Sequence, residues 1–188
     1  GRIQTARQAF ALGDAEEAAR IYREILDEDP ENERAFWGLV RVYSSTDQEE
    51  SHLIPMLEAR LRDHPDDRQA AMELGETYAR IGDHDRAHER WSSILTDLRV
   101  DVSDYSVIGT SEIRHRMYEQ ALETFRAGRA RFRSTSLFSQ ELVTVPTALG
   151  DYGSAIDECV VTVNQHGGAV QWATNRIELL MEEGASRR

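Results

Sequence analysis

Two histidines four residues apart, His84 and His88, form the pattern in this sequence that comes closest to a metal site. Histidines at this spacing lie on one face of a helix, as two zinc ligands do in zinc peptidases. The residue after His84 is Asp85, whereas that motif needs a glutamate as general base, and no third ligand is evident. We therefore predict two surface histidines, no bound metal and no other cofactor.

The other reactive residue types do not fall into catalytic patterns. The sequence has no Gly-rich phosphate loop and no G-x-S-x-G nucleophile turn. Its carboxylate pairs, at 16–17, 49–50 and 182–183, are typical of solvated helix faces and helix starts. Cys159, the only cysteine, stands in a bulky position of a predicted helix, so we expect a small core side chain there. We predict no catalytic residue and no enzyme.

The charge balance excludes several classes of function. The 188 residues include 34 Asp and Glu against 22 basic residues, all of them arginine, for a net charge of −12. This disfavours general nucleic-acid binding, because phosphate neutralisation needs a cationic surface. No apolar run approaches about 20 residues, so direct membrane insertion is not expected. An acidic surface without lysine indicates either a salt-accumulating source or a GC-rich bacterial genome that favours arginine, and the compartment, cytoplasmic or periplasmic, stays open.

A period of about 34 residues runs along the whole sequence. Alanine recurs at 18, 87, 121 and 155, and a predicted turn recurs at 13, 47, 82, 116, 150 and 184. The clearest unit contains Leu74-Gly75, Tyr78, Gly82-Asp83, Ala87 and Trp91. This pattern resembles the tetratricopeptide repeat (TPR) family. The resemblance implies an all-α fold, a right-handed α-α superhelical solenoid of TPR helix hairpins, in which stacked neighbours bury each other's apolar stripes.

The repeat predicts a single TPR array over residues 1–188, which we expect to be an excerpt of a longer protein. Units are expected at about 1–32, 33–67, 68–101, 102–135 and 136–168, with a terminal helix at 169–184. The predicted helices cover 2–11, 15–28, 33–44, 48–62, 68–80, 84–97, 103–114, 118–131, 137–149, 152–165 and 169–183.

Four positions depart from the regular pattern or fall at its turns. Pro55 predicts a kink or a late start in the second helix of its unit, because proline removes a helical hydrogen bond. Pro146 predicts a short or bent first helix in the fifth unit. His52 takes a position that is alanine in other units, so we expect a hydrogen-bonded core histidine. His115 falls in a predicted turn, where we expect a solvated side chain.

The TPR resemblance also implies a concave groove, lined by the first helix of each unit, that receives a peptide or a partner helix. Four units place an arginine on this face, and arginine binds carboxylates in a bidentate manner. The alternative is that these arginines pair with Glu76 and neighbouring acids, and that Trp37 is a core residue. The carboxylate clamp of chaperone-binding TPR proteins is not matched, because it uses lysine. The candidate binding residues are Arg7, Phe10, Arg34, Trp37, Arg41, Met72, Glu76, Arg80, Thr110 and Arg114.

These observations lead to one functional prediction with two alternatives. The first is a non-catalytic scaffold of a bacterial TPR protein, binding a protein or peptide, in particular an acidic peptide or a free C-terminal carboxylate, in the concave groove. The second is a structural or homo-oligomerisation module. The third is an accessory domain of a larger enzyme or of a secretion or assembly system.

Overall fold

The computed structural model describes residues 1–46, 49–165 and 170–186. These residues form helices and no strand, which confirms the all-α prediction. A π-helical segment, Glu49–Leu53, directly precedes α4. The α-helices are α1 (Arg2–Ala11), α2 (Ala15–Glu28), α3 (Glu33–Ser44), α4 (Ile54–Asp63), α5 (Arg68–Arg80), α6 (His84–Ile94), α7 (Val102–Arg114), α8 (Tyr118–Phe132), α9 (Ser139–Leu149), α10 (Tyr152–Gln165) and α11 (Val170–Ser186).

Most helix limits agree with the predicted ones to within two residues. The larger differences are α6, which ends three residues before its predicted end, α11, which extends three residues further, and the second helix of the second repeat. The predicted turn at 47, the predicted start of the last helix at 169 and the end of the fifth unit lie outside the described residues.

Side-chain caps start several of these helices. Asp14 Oδ1 accepts a hydrogen bond from the amide of Glu17 at 3.0 Å, and Asn32 and Asp67 cap α3 and α5 in the same manner. Asp101 opens α7 with a capping box, in which its carboxylate and that of Asp104 each accept a backbone amide. Each cap satisfies an amide that has no partner within the helix, so polar residues at these positions determine where the helices begin.

The turns within the repeats use left-handed backbone conformations. Gly13, Gly82 and Gly150 have φ values of +87°, +83° and +78°. Glycine adopts such values without steric cost. Arg116 occupies the equivalent position of the fourth repeat with a φ of +60°, where its Cβ approaches the following carbonyl oxygen. The turn at residue 116 is therefore strained.

Replacing Arg116 with glycine should stabilise the protein by about 0.5–1 kcal/mol, because relief of left-handed strain exceeds the entropy that the unfolded chain gains. Urea unfolding followed by circular dichroism measures the difference. The matched control is Arg126→Gly on α8, which places glycine inside a helix and should destabilise the protein by about 1 kcal/mol. A lower stability of the Arg116 variant would contradict the assignment of strain to this turn.

The second repeat, 33–67, is one residue longer than the period of 34, and the π-helical segment Glu49–Leu53 accommodates the extra residue. Pro55 stands in the first turn of α4, so the late start predicted for this helix is confirmed. The prediction of a buried His52 is wrong. His52 is exposed and its ring lies 5.1 Å from that of Tyr43, while Leu53, 0% exposed, takes the core position. A π-turn adds one residue per turn, and this shifts the buried register from His52 to Leu53.

The chain divides into two compact units, Gly1–Asp83 and His84–Arg188. In the first unit α2 packs against α1 and α3, and α4 packs against α5. Its core contains the buried side chains Tyr22, Leu53, Leu57 and Leu74. A methyl group on Gly38 of α3 would overlap the ring of Tyr22, so glycine is required for this close approach.

In the second unit each helix from α7 to α11 packs against the next one along the chain. One core cluster surrounds Phe125 and Phe138, whose ring centres are 5.1 Å apart. A second cluster, around Cys159, contains Ala173 and Leu180 of α11, so the predicted core position of Cys159 is confirmed. Pro146 is buried inside α9, which has 11 residues against 13 in α5 and α7, in agreement with the predicted short helix.

Candidate functional site

The first helices of the N-terminal three repeats lie side by side in the first unit. The Cζ atom of Arg41 on α3 is 5.4 Å from the centre of the Phe10 ring on α1, a cation–π contact. The Ser44 hydroxyl on α3 donates a hydrogen bond to Glu73 on α5 at 3.2 Å. We call this surface the first-helix face, and its predicted binding residues are Arg7, Phe10, Arg34, Trp37, Arg41, Met72, Glu76 and Arg80.

The arginines of the first-helix face differ in their surroundings. Arg7 and Arg34 are exposed and line one cleft of about 560 Å³, and in the described part of the chain neither has an ion-pair partner. Arg41 is exposed except for its contact with Phe10. Arg80 lies 3.6 Å from a carboxylate oxygen of Glu73 and donates to the Thr77 hydroxyl at 3.2 Å. The alternative interpretation, in which an arginine of this face pairs with an acid, therefore applies to Arg80, which lies next to Glu73.

Trp37 is half-buried, and its ring meets that of Phe36 edge to face with centres 5.2 Å apart. Its indole Nε1 donates a hydrogen bond to Glu33 one helical turn earlier, at 3.0 Å. Part of the ring therefore remains available on the surface next to Arg34 and Arg41. Met72 and Glu76 are also half-buried.

The remaining two predicted residues, Thr110 and Arg114, are exposed on α7 in the second unit. Arg114 donates a hydrogen bond to the Ser111 hydroxyl at 2.8 Å. The structure thus brings Phe10 together with Arg41, and Arg7 together with Arg34, whereas Thr110 and Arg114 belong to a separately described unit.

A buried ion pair at His88 was missed by the sequence analysis, and the prediction of a surface histidine is wrong there. His88 Nδ1 lies 2.6 Å from Oε1 of Glu112, whose side chain is 0% exposed, and Nε2 lies 3.6 Å from Glu123. The hydrogen bond to Glu112 raises the pKa of His88 above its ordinary value, and burial opposes this rise. The available signal was Glu112 itself, an acid four residues after buried Ile108 in the apolar stripe of α7.

Two other predictions about reactive side chains can be compared with the structure. His115 is half-buried, with its ring centre 6.4 Å from that of Trp91, so the expectation of a solvated histidine is wrong. Burial raises the pKa of the Cys159 thiol, which keeps the side chain in its unreactive neutral form. Within residues 1–46, 49–165 and 170–186, no group of three His, Cys, Asp or Glu side chains is arranged to hold a metal ion.

A second cleft, of about 530 Å³, opens between the last three helices of the second unit. The repeat pattern predicts Gln140 and Thr144 on the inner face of the fifth unit. Trp172 and Arg176 were missed because no binding residues were assigned to the terminal helix, α11. We call it the α9–α11 cleft, and it is lined by Ser139, Gln140, Val143, Thr144, Thr162, Trp172 and Arg176.

Helix hairpins, glycine turns and stacked apolar stripes define a helical-repeat protein. Residues 9–51 and 54–90 each match a family model described as tetratricopeptide repeat. The chain therefore contains tetratricopeptide repeats, which the family models match over these two segments. No curated protein matches the sequence. No described helix combines the length and the apolar character that crossing a membrane requires.

Three solved structures show the same fold at low sequence identity. A tetratricopeptide repeat protein from Parabacteroides merdae has a TM-score of 0.61 and 12% identity, covering 99% of this chain and 74% of its own. MamA from Desulfovibrio magneticus has a TM-score of 0.53 and 13% identity, with coverage of 98% and 94%. The Naa15/Naa10 complex bound to HypK-THB has a TM-score of 0.62 and 12% identity, with coverage of 94% and 28%. This chain has the TPR solenoid fold, the fold of a protein–protein interaction scaffold.

Proposed function

We propose that this chain is a non-catalytic interaction module that binds an acidic peptide or helix of a partner protein on the first-helix face. The observation that carries the proposal is the contact between Arg41 and Phe10, which joins two repeats and presents a guanidinium beside an aromatic ring. Arginine and aromatic residues are the types most often found at binding hot spots.

The charge distribution supports an acidic partner. The chain carries a net charge of −12, yet Arg7, Arg34 and Arg41 lie exposed on this one face. A local positive potential attracts carboxylates, so these arginines favour an acidic segment at this face. Two acids, Glu73 and Glu76, lie on α5, and Glu73 is 3.6 Å from Arg80. The α1 and α3 region is therefore the expected contact for a carboxylate.

The test starts from random peptides displayed on phage and selected against the whole chain. We expect the selected peptides to be enriched in Asp and Glu. The double variant Arg34→Gln with Arg41→Gln should weaken their binding by about tenfold or more and reduce its dependence on salt, because two guanidinium contacts are lost. Isothermal titration calorimetry at several salt concentrations measures both effects.

The matched control removes the same charge from another surface of the first unit. Arg20→Gln with Arg23→Gln lies on α2, where Arg20 pairs with Glu17, and should leave the affinity unchanged. Equal losses in the two double variants would indicate a nonspecific charge effect and contradict binding on the first-helix face.

Self-association is the second candidate function, and one observation favours it. The last helix, α11, exposes Val170, Leu179 and Met181, which are 51%, 51% and 63% exposed. Apolar side chains grouped on one helix are common at oligomer contacts. Light scattering at several concentrations separates the candidates, because a mass that grows with concentration in the absence of any peptide favours self-association.

A further inference from the structure

The α9–α11 cleft contains polar side chains that have no partner among the described residues. Ser139 accepts a hydrogen bond from Arg129, and Thr162 donates one to a backbone carbonyl, so both are used internally. Within the parts of the chain that the structure describes, the side chains of Gln140, Thr144 and Arg176 form no hydrogen bond or ion pair. A guanidinium, a hydroxyl and an amide are therefore available as donors in one cavity.

The charge of the cleft points to an anionic group. Its described lining contains one cation, Arg176, and no carboxylate, although acids outnumber arginines 34 to 22 in the whole chain. Arg176 is half-buried, so its guanidinium has lost part of its hydration, and no described residue forms an ion pair with it. A carboxylate entering the cleft restores that charge balance and can bind the guanidinium in a bidentate manner.

An apolar surface lies one helical turn from this cation. Trp172 is 42% exposed, which leaves much of a large aromatic ring in contact with solvent. Residues four apart on a helix are separated by about 6 Å along its axis, and alternate side chains of an extended peptide by about 6.7 Å. Trp172 and Arg176 thus match the spacing of two side chains on the same side of an extended segment.

We propose that the α9–α11 cleft binds an extended peptide segment in which an aliphatic residue stands two positions from an aspartate or glutamate. The carboxylate pairs with Arg176 and accepts hydrogen bonds from Thr144 and Gln140, while the aliphatic side chain packs on Trp172. The cavity of about 530 Å³ accommodates two such side chains. The inference rests on the proposed function because both assume a peptide ligand. Its residues, however, are not those of the first-helix face.

The experiment uses the whole chain and a dye-labelled, C-terminally amidated peptide with one leucine and one glutamate two positions apart in a glycine-serine background. Fluorescence anisotropy should show saturable binding with a Kd on the order of 10⁻⁴ M, as expected for two anchoring side chains. Arg176→Gln should weaken binding by about tenfold and Trp172→Ala by about fivefold. Circular dichroism verifies that both variants remain folded.

Two comparisons make the result specific. Arg131→Gln, an exposed arginine on α8 outside the cleft, should leave the affinity unchanged. A peptide with glutamine in place of glutamate should bind about tenfold more weakly, because the charge-assisted bonds to Arg176 are lost.

Four outcomes would overturn the proposal. They are no saturation up to about 1 mM peptide, equal affinity for the glutamine peptide, unchanged affinity of Arg176→Gln, and tighter binding of an acid-free peptide with a free C-terminal carboxylate, which would assign the cleft to chain ends. The Arg34→Gln, Arg41→Gln double variant should bind this peptide normally. This comparison distinguishes a wrong proposal for the α9–α11 cleft from a wrong proposal for the first-helix face.

Discussion

Replacing Arg129 with methionine is expected to lower the free energy of unfolding by about 3–5 kcal/mol. Arg129 on α8 forms a bidentate ion pair with Glu158 on α10, with Nη1 2.7 Å from Oε2. It also donates to the Leu137 carbonyl and, at 3.0 Å, to the Ser139 hydroxyl. The side chains of Arg129 and Glu158 are only 16% and 10% exposed, so removing the arginine leaves a buried carboxylate without its counter-charge.

Chemical denaturation followed by circular dichroism measures this loss. Arg131→Met on the same helix is the matched control and should change the stability by less than about 0.5 kcal/mol, because Arg131 is exposed. The double variant Arg129→Met, Glu158→Leu should recover a large part of the loss, since apolar residues often replace a buried ion pair at little cost. A double variant no more stable than the single one would contradict the interpretation that the orphaned carboxylate causes the effect.

The second large effect is expected at His88. Replacing it with glutamine should destabilise the protein by about 3 kcal/mol near pH 5.5, because the buried Glu112 carboxylate loses a charged partner. The second oxygen of Glu112, Oε2, is buried and has no hydrogen-bond partner within the described residues. Ser92 lies 3.3 Å from the other nitrogen of His88, while Glu123 and Asp85 add negative charge nearby.

The effect should depend on pH in a defined direction. A histidine whose pKa is raised by folding stabilises the native state fully below its unfolded pKa of about 6.5, and this contribution is lost as the pH rises through the folded pKa. The stability difference between the wild type and the His88→Gln variant should therefore decrease between about pH 5.5 and pH 8.5.

Urea unfolding at several pH values tests this dependence. His64 provides the control, since it lies 3.5 Å from Glu31 but is 43% exposed, and His64→Gln should change the stability little. A difference between wild type and His88→Gln that stays constant with pH would show that the histidine acts through a neutral hydrogen bond alone.

Much of the local structure could be predicted from the sequence because it depends on neighbouring residues. The limits of α1, α2, α3, α5 and α10 follow from the 3.6-residue apolar period and from capping residues such as Asp14. The left-handed turns at Gly13, Gly82 and Gly150 follow from the repeat and from the conformational freedom of glycine. The 34-residue repeat also predicts which arginines lie on the first helices of the units.

Features that depend on a change in which helix positions are buried could not be predicted from the repeat pattern. The extra residue of the second repeat could be counted in the sequence, and Pro55 predicted a kink or a late start. Which of the two occurs depends on which side chain packs best in the core. The structure places Leu53 there and leaves His52 exposed. A periodic pattern carries no information about this choice, because both alternatives preserve the helix on either side.

The sequence by itself determined the helices, their caps and turns, the tetratricopeptide repeat and the acidic charge. Helices, caps and turns depend on residues a few positions apart, the repeat on the recurrence of residue types, and the charge on composition alone. Only the tertiary structure decided which side chains from different helices meet. The pairs His88 with Glu112, Arg129 with Glu158, and Arg41 with Phe10 join residues 24 to 31 positions apart. Their contact depends on how the helices pack, and packing is set by the shape of many side chains together rather than by any local pattern.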